Sequence, residues 1–198
     1  MTDQEKLIRS LPEFEKYKML HVPDCFGGPR LYFLKGFLSQ WYSSPFTAGP
    51  SVFGVELQFA NAEQFMMAGK AYLFNDEQTF NRILATTNPR LAKDLGRQVK
   101  NFEPKAWDAA KFDIVTIGNV LKFTQNKKLA ALLKLTHGYS LHEANLYDTV
   151  WGIGFDIESP TILRIDPKSF AGQNLLGRSL EFVRNALLEA DPRFAEEV

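Results

Sequence analysis

Apolar positions recur every three or four residues through most of the chain after residue 60. This spacing is typical of helices that pack one face against a core. Cap residues divide the pattern, because Asn61 precedes Gln64 in a capping-box arrangement and Asn88 precedes a proline at a first helical position. The pattern predicts helices over residues 61–74, 79–86, 89–96, 104–124 and 173–190. Leu129, Leu132 and Leu133 predict another short helix, which Gly138 ends.

The first sixty residues combine helical and extended patterns. An apolar stripe in residues 4–20 predicts a short helical arm, which Pro12 breaks or in which it opens a second turn. Leu31–Leu34 predicts a short strand. Alternation over residues 52–59 predicts a second strand. We therefore expect an α+β fold, a predominantly α-helical single domain with a few short β-strands. We expect residues 1–30 to form an N-terminal arm and residues 31–198 the main domain.

Composition and charge exclude several classes of protein. The 198 residues include 23 Lys and Arg and 23 Asp and Glu, so the formal net charge is zero. A general nucleic-acid coat needs a basic excess, so any anion site must be local. No apolar run is long enough for a membrane span, and no secretory segment is present, so we expect a cytoplasmic or nuclear, non-secreted protein. Cys25 is the only cysteine and the three histidines lack ligand spacing, so we expect no metal site and no cofactor.

The helix predicted over residues 61–74 carries an acid and an amine on one face. Glu63 and Lys70 are seven residues apart, which is about 10 Å along the axis, with Met67 between them. Burial would lower the pKa of the lysine amine and make it a nucleophile toward a sugar carbon. An ordinary helix has the same pattern when Glu complements the helix dipole and Lys extends to solvent, and spacing alone favours that interpretation.

A second segment, residues 143–154, places a carboxylate three residues before a glycine-flanked indole. Asp148 could bind sugar hydroxyls or act as a base, Trp151 offers a stacking face, and Gly152 allows close backbone approach. A tight turn with Trp151 in the core explains the same pattern. Arg97, Lys122 and the run from Gly172 to Asn174 are possible phosphate contacts or ordinary helix-end residues.

Taken in order, seven such segments closely resemble the NADAR family, also called YbiA-like. They are residues 37–46, 62–71, 95–97, 107–108, 122–126, 143–154 and 172–177, and the resemblance covers roughly Leu31 to Leu188. Gln40 departs from the family, which commonly has Asn at that position. The resemblance implies a helix-rich α+β fold and an N-glycosidase that breaks a ribosyl C1–N bond.

The resemblance also implies roles for residues. The catalytic candidates are Lys70, Glu63 and Asp148, and the substrate-binding candidates are Ser39, Trp41, Arg97, Trp107, Phe123, Asn126, Trp151, Gly152 and Asn174. The leading expected activity is removal of ADP-ribose from ADP-ribosylated guanine in DNA or RNA. Alternatives are the same chemistry on phosphorylated early riboflavin-pathway intermediates and a non-catalytic ADP-ribose-binding module. We expect an ADP-ribose-containing ligand, no membrane and no obligate protein partner.

Overall fold

The computed structural model describes residues 2–20 and 28–191, and in these the protein is a mostly helical α+β domain, as the sequence predicts. The chain groups into two compact units. Unit 1 comprises Met1–Ser39 with Lys128–Val198, and unit 2 comprises Gln40–Lys127. The predicted division at residue 30 stays a prediction, and Cys25 lies outside the described residues.

Unit 1 is built on a three-stranded sheet. Strand β1 (Lys18–Leu20) pairs antiparallel with β2 (Arg30–Phe33), and β2 pairs parallel with β5 (Ser140–Glu143), with Leu31 opposite Leu141. The unit also contains α1 (Asp3–Ser10), a 3₁₀ turn (Pro12–Phe14), the helix α7 (Lys127–Lys134) that begins at the unit boundary, a second 3₁₀ turn (Pro167–Ser169) and α8 (Leu175–Ala190). Helix α8 packs against β5. Gly177 lets α8 approach β5 closely, because a Cβ there would collide with the Leu141 carbonyl.

Unit 2 surrounds one central helix. Its elements are β3 (Phe46–Ala48), α2 (Pro50–Phe53), β4 (Leu57–Phe59), α3 (Ala62–Leu73), α4 (Glu77–Leu84), α5 (Pro89–Gly96) and α6 (Pro104–Gln125). Strands β3 and β4 form an antiparallel pair, and α3 packs against α4, α5 and α6. Rings from four elements fill the core, at Phe46, Phe53, Phe59 and Phe65.

Two predicted elements are wrong. The helical arm ends at Phe14, because residues 18–20 form an edge strand on β2. The strand predicted over residues 52–59 divides in two. Pro50 begins the short helix α2, Gly54 ends it with a φ of 77°, and only Leu57–Phe59 is extended. The strand near Leu31 and the remaining predicted helices are confirmed within a few residues.

The described residues lack the features of a membrane span and of a metal cluster. Among them no helix is long and apolar enough to cross a membrane. Within the same part of the chain, no three His, Cys, Asp or Glu side chains are grouped as they would be around a metal ion.

Candidate functional site

The predicted acid and amine occupy opposite ends of α3. The helix begins where the Asn61 side chain accepts a hydrogen bond from the Gln64 amide, 2.9 Å away. Glu63 follows in the first turn and is 5% exposed, and its own amide donates to the Gln40 carbonyl at 3.0 Å. Lys70 lies two turns later on the same face, as the seven-residue spacing requires.

The apolar surface between Glu63 and Lys70 is covered by α5. Met67 is buried against Gly96, where any Cβ would collide with the methionine sulfur. The Lys70 amine donates to the Gly96 carbonyl at 2.9 Å and lies over the ring of Phe102 and, at 5.5 Å from the centroid, that of Trp107. Burial lowers the pKa of Lys70, which is the direction expected for a desolvated amine. Lys70 and Trp107, both predicted site residues, are thus brought together.

A second lysine, Lys122, is more deeply buried than Lys70. In the contact between α3 and α6, Gly69 lies against Ile114 and Gly118 against Phe65, so the two helices run antiparallel. Lys122 is one turn beyond Gly118 and therefore lies level with the start of α3. It is fully buried, and its amine is 5.9 Å from the ring centroid of Tyr42. Desolvation lowers the pKa of Lys122 to about 7.

The sequence indicated Lys122 as a phosphate contact or as a cation near a helix end, and Lys122 was not among the predicted site residues. The available signal was its spacing of four from Gly118, which places both residues on the face of α6 that meets α3. The sequence alone does not show which face of α6 is covered.

Residues 40–44 lie beside the start of α3. Ser44 donates from its backbone to the Ala60 carbonyl, and Gln40 accepts from Glu63, so the loop runs alongside the residues before and within the first turn of α3. Trp41 is 41% exposed and Tyr42 is 38% exposed. The predicted binding residue Trp41 therefore presents an accessible ring close in sequence to the buried Gln40.

The other predicted residues of unit 2 fall into two groups. Phe123 is buried, and the Asn126 side chain donates to the Lys122 and Pro45 carbonyls, so these two residues lie at the same end of α6 as Lys122. Arg97 extends into solvent and pairs with Asp94 at 3.2 Å. The ligand-binding roles of all three stay predictions.

In unit 1, Asp148, Trp151 and Gly152 belong to one tight turn. The Asp148 carboxylate accepts hydrogen bonds from the amides of Val150 and Trp151, at 3.0 and 2.7 Å. Gly152 is needed because a Cβ would lie under 3 Å from the carbonyls of Glu143 and Asp148. The close approach that this glycine allows is therefore to the protein's own backbone.

Asn174 and Ser39 are also buried in unit 1. The Asn174 side chain donates to the Leu141 carbonyl at 2.8 Å and accepts from the Glu143 amide at 3.1 Å, so it joins the start of α8 to β5. Ser39 ends the unit, and its amide donates to the Gly36 carbonyl. Both residues, like Asp148 and Trp151, remain predicted site residues whose roles are untested.

Unit 2 also contains a mostly apolar cavity of about 320 Å³. It lies against α2, α3 and α6, and its lining includes Phe53, Tyr72, Ile114 and Asp113. None of the predicted site residues lines it, so this cavity gives no support to the predicted site.

Comparisons with known proteins show what the chain resembles. The family model described as NADAR domain matches residues 32–188. The chain is 41% identical over 147 residues to "N-glycosidase R617" of Acanthamoeba polyphaga mimivirus, covering 74% of this chain and 84% of the relative. It is 35% identical over 133 residues to "Protein irg-1" of Caenorhabditis elegans, covering 66% of this chain and 62% of that protein.

A solved structure shares the fold. The NMR structure of the E. coli protein YbiA matches with a TM-score of 0.65 and 23% identity, covering 86% of this chain and 89% of the other. At that identity the match shows a common architecture.

Proposed function

Because the chain belongs to the NADAR family, we propose that it is an N-glycosidase that hydrolyses a ribosyl C1–N bond. The observation that carries the proposal is the 41% identity to a protein named an N-glycosidase, over 84% of that protein's length. In this chain the buried Glu63 carboxylate and two desolvated lysine amines supply the groups that such chemistry needs.

The proposed substrate is an ADP-ribosylated guanine base in DNA or RNA. The formal net charge of zero supports recognition of one modified group over tracking along a phosphate backbone. In this proposal the ADP-ribose portion contacts the predicted binding residues, and the rest of the nucleic acid contributes little affinity.

Glu63 would stabilise positive charge. Breaking the C1–N bond sends its electron pair to the base nitrogen and leaves an oxocarbenium-like ribose. A carboxylate held beside that carbon stabilises the charge, and burial strengthens its effect because surrounding water is excluded. The anchoring of Glu63 in the first turn of a capped helix keeps its backbone fixed during the reaction.

Lys70 would act as the nucleophile. Its neutral amine would attack C1, the base would leave after gaining a proton, and ring opening would give an imine between Lys70 and the ribose carbon. Water would then hydrolyse the imine, releasing the sugar and restoring the amine. To do so, Lys70 would exchange its hydrogen bond with the Gly96 carbonyl for the substrate. The role of Asp148 as a proton carrier stays a prediction from the sequence.

The test compares two substrates with the full-length protein. One is an oligonucleotide carrying ADP-ribosylated guanine, and the other is a phosphorylated ribosylamino-pyrimidine of the early riboflavin-pathway type. We expect release of ADP-ribose from the first, measured by mass spectrometry. Faster cleavage of the second would overturn the nucleic-acid substrate. Binding of ADP-ribose with no cleavage of either substrate would indicate a binding module and overturn the glycosidase.

Borohydride reduction during turnover tests the nucleophile. We expect a stable sugar adduct on the peptide that contains Lys70 and no adduct in Lys70→Arg. An adduct on the peptide that contains Lys122 would identify Lys122 as the nucleophile in place of Lys70. Normal turnover by Lys70→Arg without an adduct would overturn covalent catalysis by Lys70.

A further inference from the structure

Gln40 has a buried side-chain amide without hydrogen bonds. The residue is 7% exposed, and within the described part of the chain neither its Nε2 nor its Oε1 has a partner. Almost all buried polar groups in native proteins are paired, because desolvation without a new hydrogen bond is costly. An amide with both ends unpaired therefore calls for an explanation.

Two other buried side-chain amides, Gln64 and Asn174, use both ends in hydrogen bonds. The Gln64 side chain accepts from the Ala60 amide and donates to the Ile83 carbonyl, and the Asn174 side chain both donates and accepts on β5. Asn119 leaves its Oδ1 unpaired but donates from its Nδ2 to the Val115 carbonyl, so among the buried amides of the described residues Gln40 differs in having both ends unpaired.

Gln40 is also hydrogen-bonded to the backbone of Glu63, whose carboxylate is proposed to act in catalysis. Its carbonyl accepts the hydrogen bond from the Glu63 amide, so its backbone is fixed at the first turn of α3. The accessible ring of Trp41 follows directly, and Tyr42 lies near the buried Lys122 amine. The residue with the unused donor and acceptor is thus joined through its backbone to Glu63, which the proposed function assigns to the substrate site.

We infer that the Gln40 side-chain amide is a substrate-binding group that pairs with two neighbouring hydroxyls of the ribosyl ring. The inference rests on the proposed function. A carboxamide presents a donor group, the NH2, beside an acceptor group, the carbonyl oxygen, and a pair of hydroxyls supplies a matching acceptor and donor. A phosphate at neutral pH is largely deprotonated and is a poor hydrogen-bond donor to Oε1. The phosphate end of the substrate therefore matches this amide poorly.

The test uses Gln40→Met, which keeps the length of the side chain and removes both polar atoms. Binding of ribose 5-phosphate and 2-deoxyribose 5-phosphate is measured by calorimetry. The wild-type protein should bind the ribose compound about tenfold more tightly, as expected for one or two neutral hydrogen bonds, and the variant should lose this preference. Without ligand, Gln40→Met should melt at or above the wild-type temperature, because an unpaired buried amide has been removed.

Gln64→Met is the matched control. Its amide is paired, so this variant should melt at a lower temperature and keep the preference for ribose 5-phosphate. A Gln40→Met protein that keeps the preference, or a wild-type protein that shows none, would overturn the inference.

Turnover separates this inference from the proposed function. If the wild-type protein cleaves its substrate but Gln40 has no effect on the ribose preference, only the inference fails. If it cleaves nothing but shows a Gln40-dependent preference for ribose 5-phosphate, Gln40 remains a ligand-binding residue and the glycosidase proposal fails.

Discussion

The Lys70 amine donates a hydrogen bond to the carbonyl of Gly96, the last residue of α5, at 2.9 Å. The same amine lies 4.2 Å from the ring centroid of Phe102. One lysine therefore satisfies a carbonyl at a helix C-terminus and rests on an aromatic face. Structural and proposed catalytic roles are combined in the same group, and substitutions can separate them.

Lys70→Met should abolish turnover while leaving the protein folded. The methionine side chain retains the apolar contacts with Phe102 and Trp107, and only the amine and its hydrogen bond are lost. We expect a loss of about 1 kcal/mol in the free energy of unfolding, measured by urea denaturation. Lys105→Met, at an exposed lysine of α6, is the control that should change neither property. Substantial turnover by Lys70→Met would contradict the nucleophile assignment.

Glu63→Gln should lower kcat about 100-fold with little change in KM. The substitution keeps the size of the side chain but removes the negative charge that stabilises the transition state more than the bound substrate. Steady-state kinetics on the ADP-ribosylated oligonucleotide measure both constants. Glu77→Gln, at an exposed first-turn position of α4, serves as the control. An unchanged kcat for Glu63→Gln would remove the carboxylate from the mechanism.

Lys122→Met should flatten the dependence of stability on pH above neutrality. Burial lowers the pKa of Lys122 to about 7, whereas the unfolded chain keeps a value near 10.5. Between these values the unfolded state binds one more proton, so the stability of the native protein should rise with pH by about 1 kcal/mol per unit. Urea denaturation at pH 7 to 10 should show this slope in the wild-type protein and a smaller one in the variant. Equal slopes would contradict a depressed pKa for this amine.

His142→Gln should flatten the dependence of stability on pH below neutrality. Burial, with a smaller contribution from the charge of Arg30, lowers the pKa of His142 to about 4. The imidazole is thus neutral in the folded protein at pH values where the unfolded chain is protonated, and stability should fall as pH decreases from about 6.5 to 4. The variant should lose this part of the slope, and His137→Gln, at an exposed histidine, should retain it. A wild-type slope in His142→Gln would refute the assignment.

Local signals predicted α3 well. Asn61 caps the helix as expected, because a cap depends on residues a few positions apart. The predicted reciprocal bond is displaced by one residue, since the Gln64 side chain accepts from the amide of Ala60. The resemblance to the NADAR family was likewise inferred from the order of seven motifs along the chain, and the family match over residues 32–188 confirms it.

Two features that the sequence did not predict, the strand β1 and the burial of Lys122, depend on contacts between segments that are distant in sequence. Lys18–Leu20 is a strand because β2 lies beside it, and nothing within those residues distinguishes it from the end of a helix. Lys122 is buried because α3 covers its face of α6, which is a relationship between segments sixty residues apart in sequence. The side-chain roles of the site depend on a ligand and so stay predictions.

The parallel pairing of β2 with β5, which sets Arg30 opposite Ser140, affects how the chain acquires its structure during synthesis. All of residues 40–127 leave the ribosome before the second partner of β2 exists. Until then one side of the central strand lacks its neighbour, and closing a loop of more than a hundred residues carries an entropic penalty that only the finished sheet offsets. We therefore expect the intervening helices to acquire structure first, and a nascent chain that stalls before residue 140 to display an open strand edge of the kind that chaperones bind.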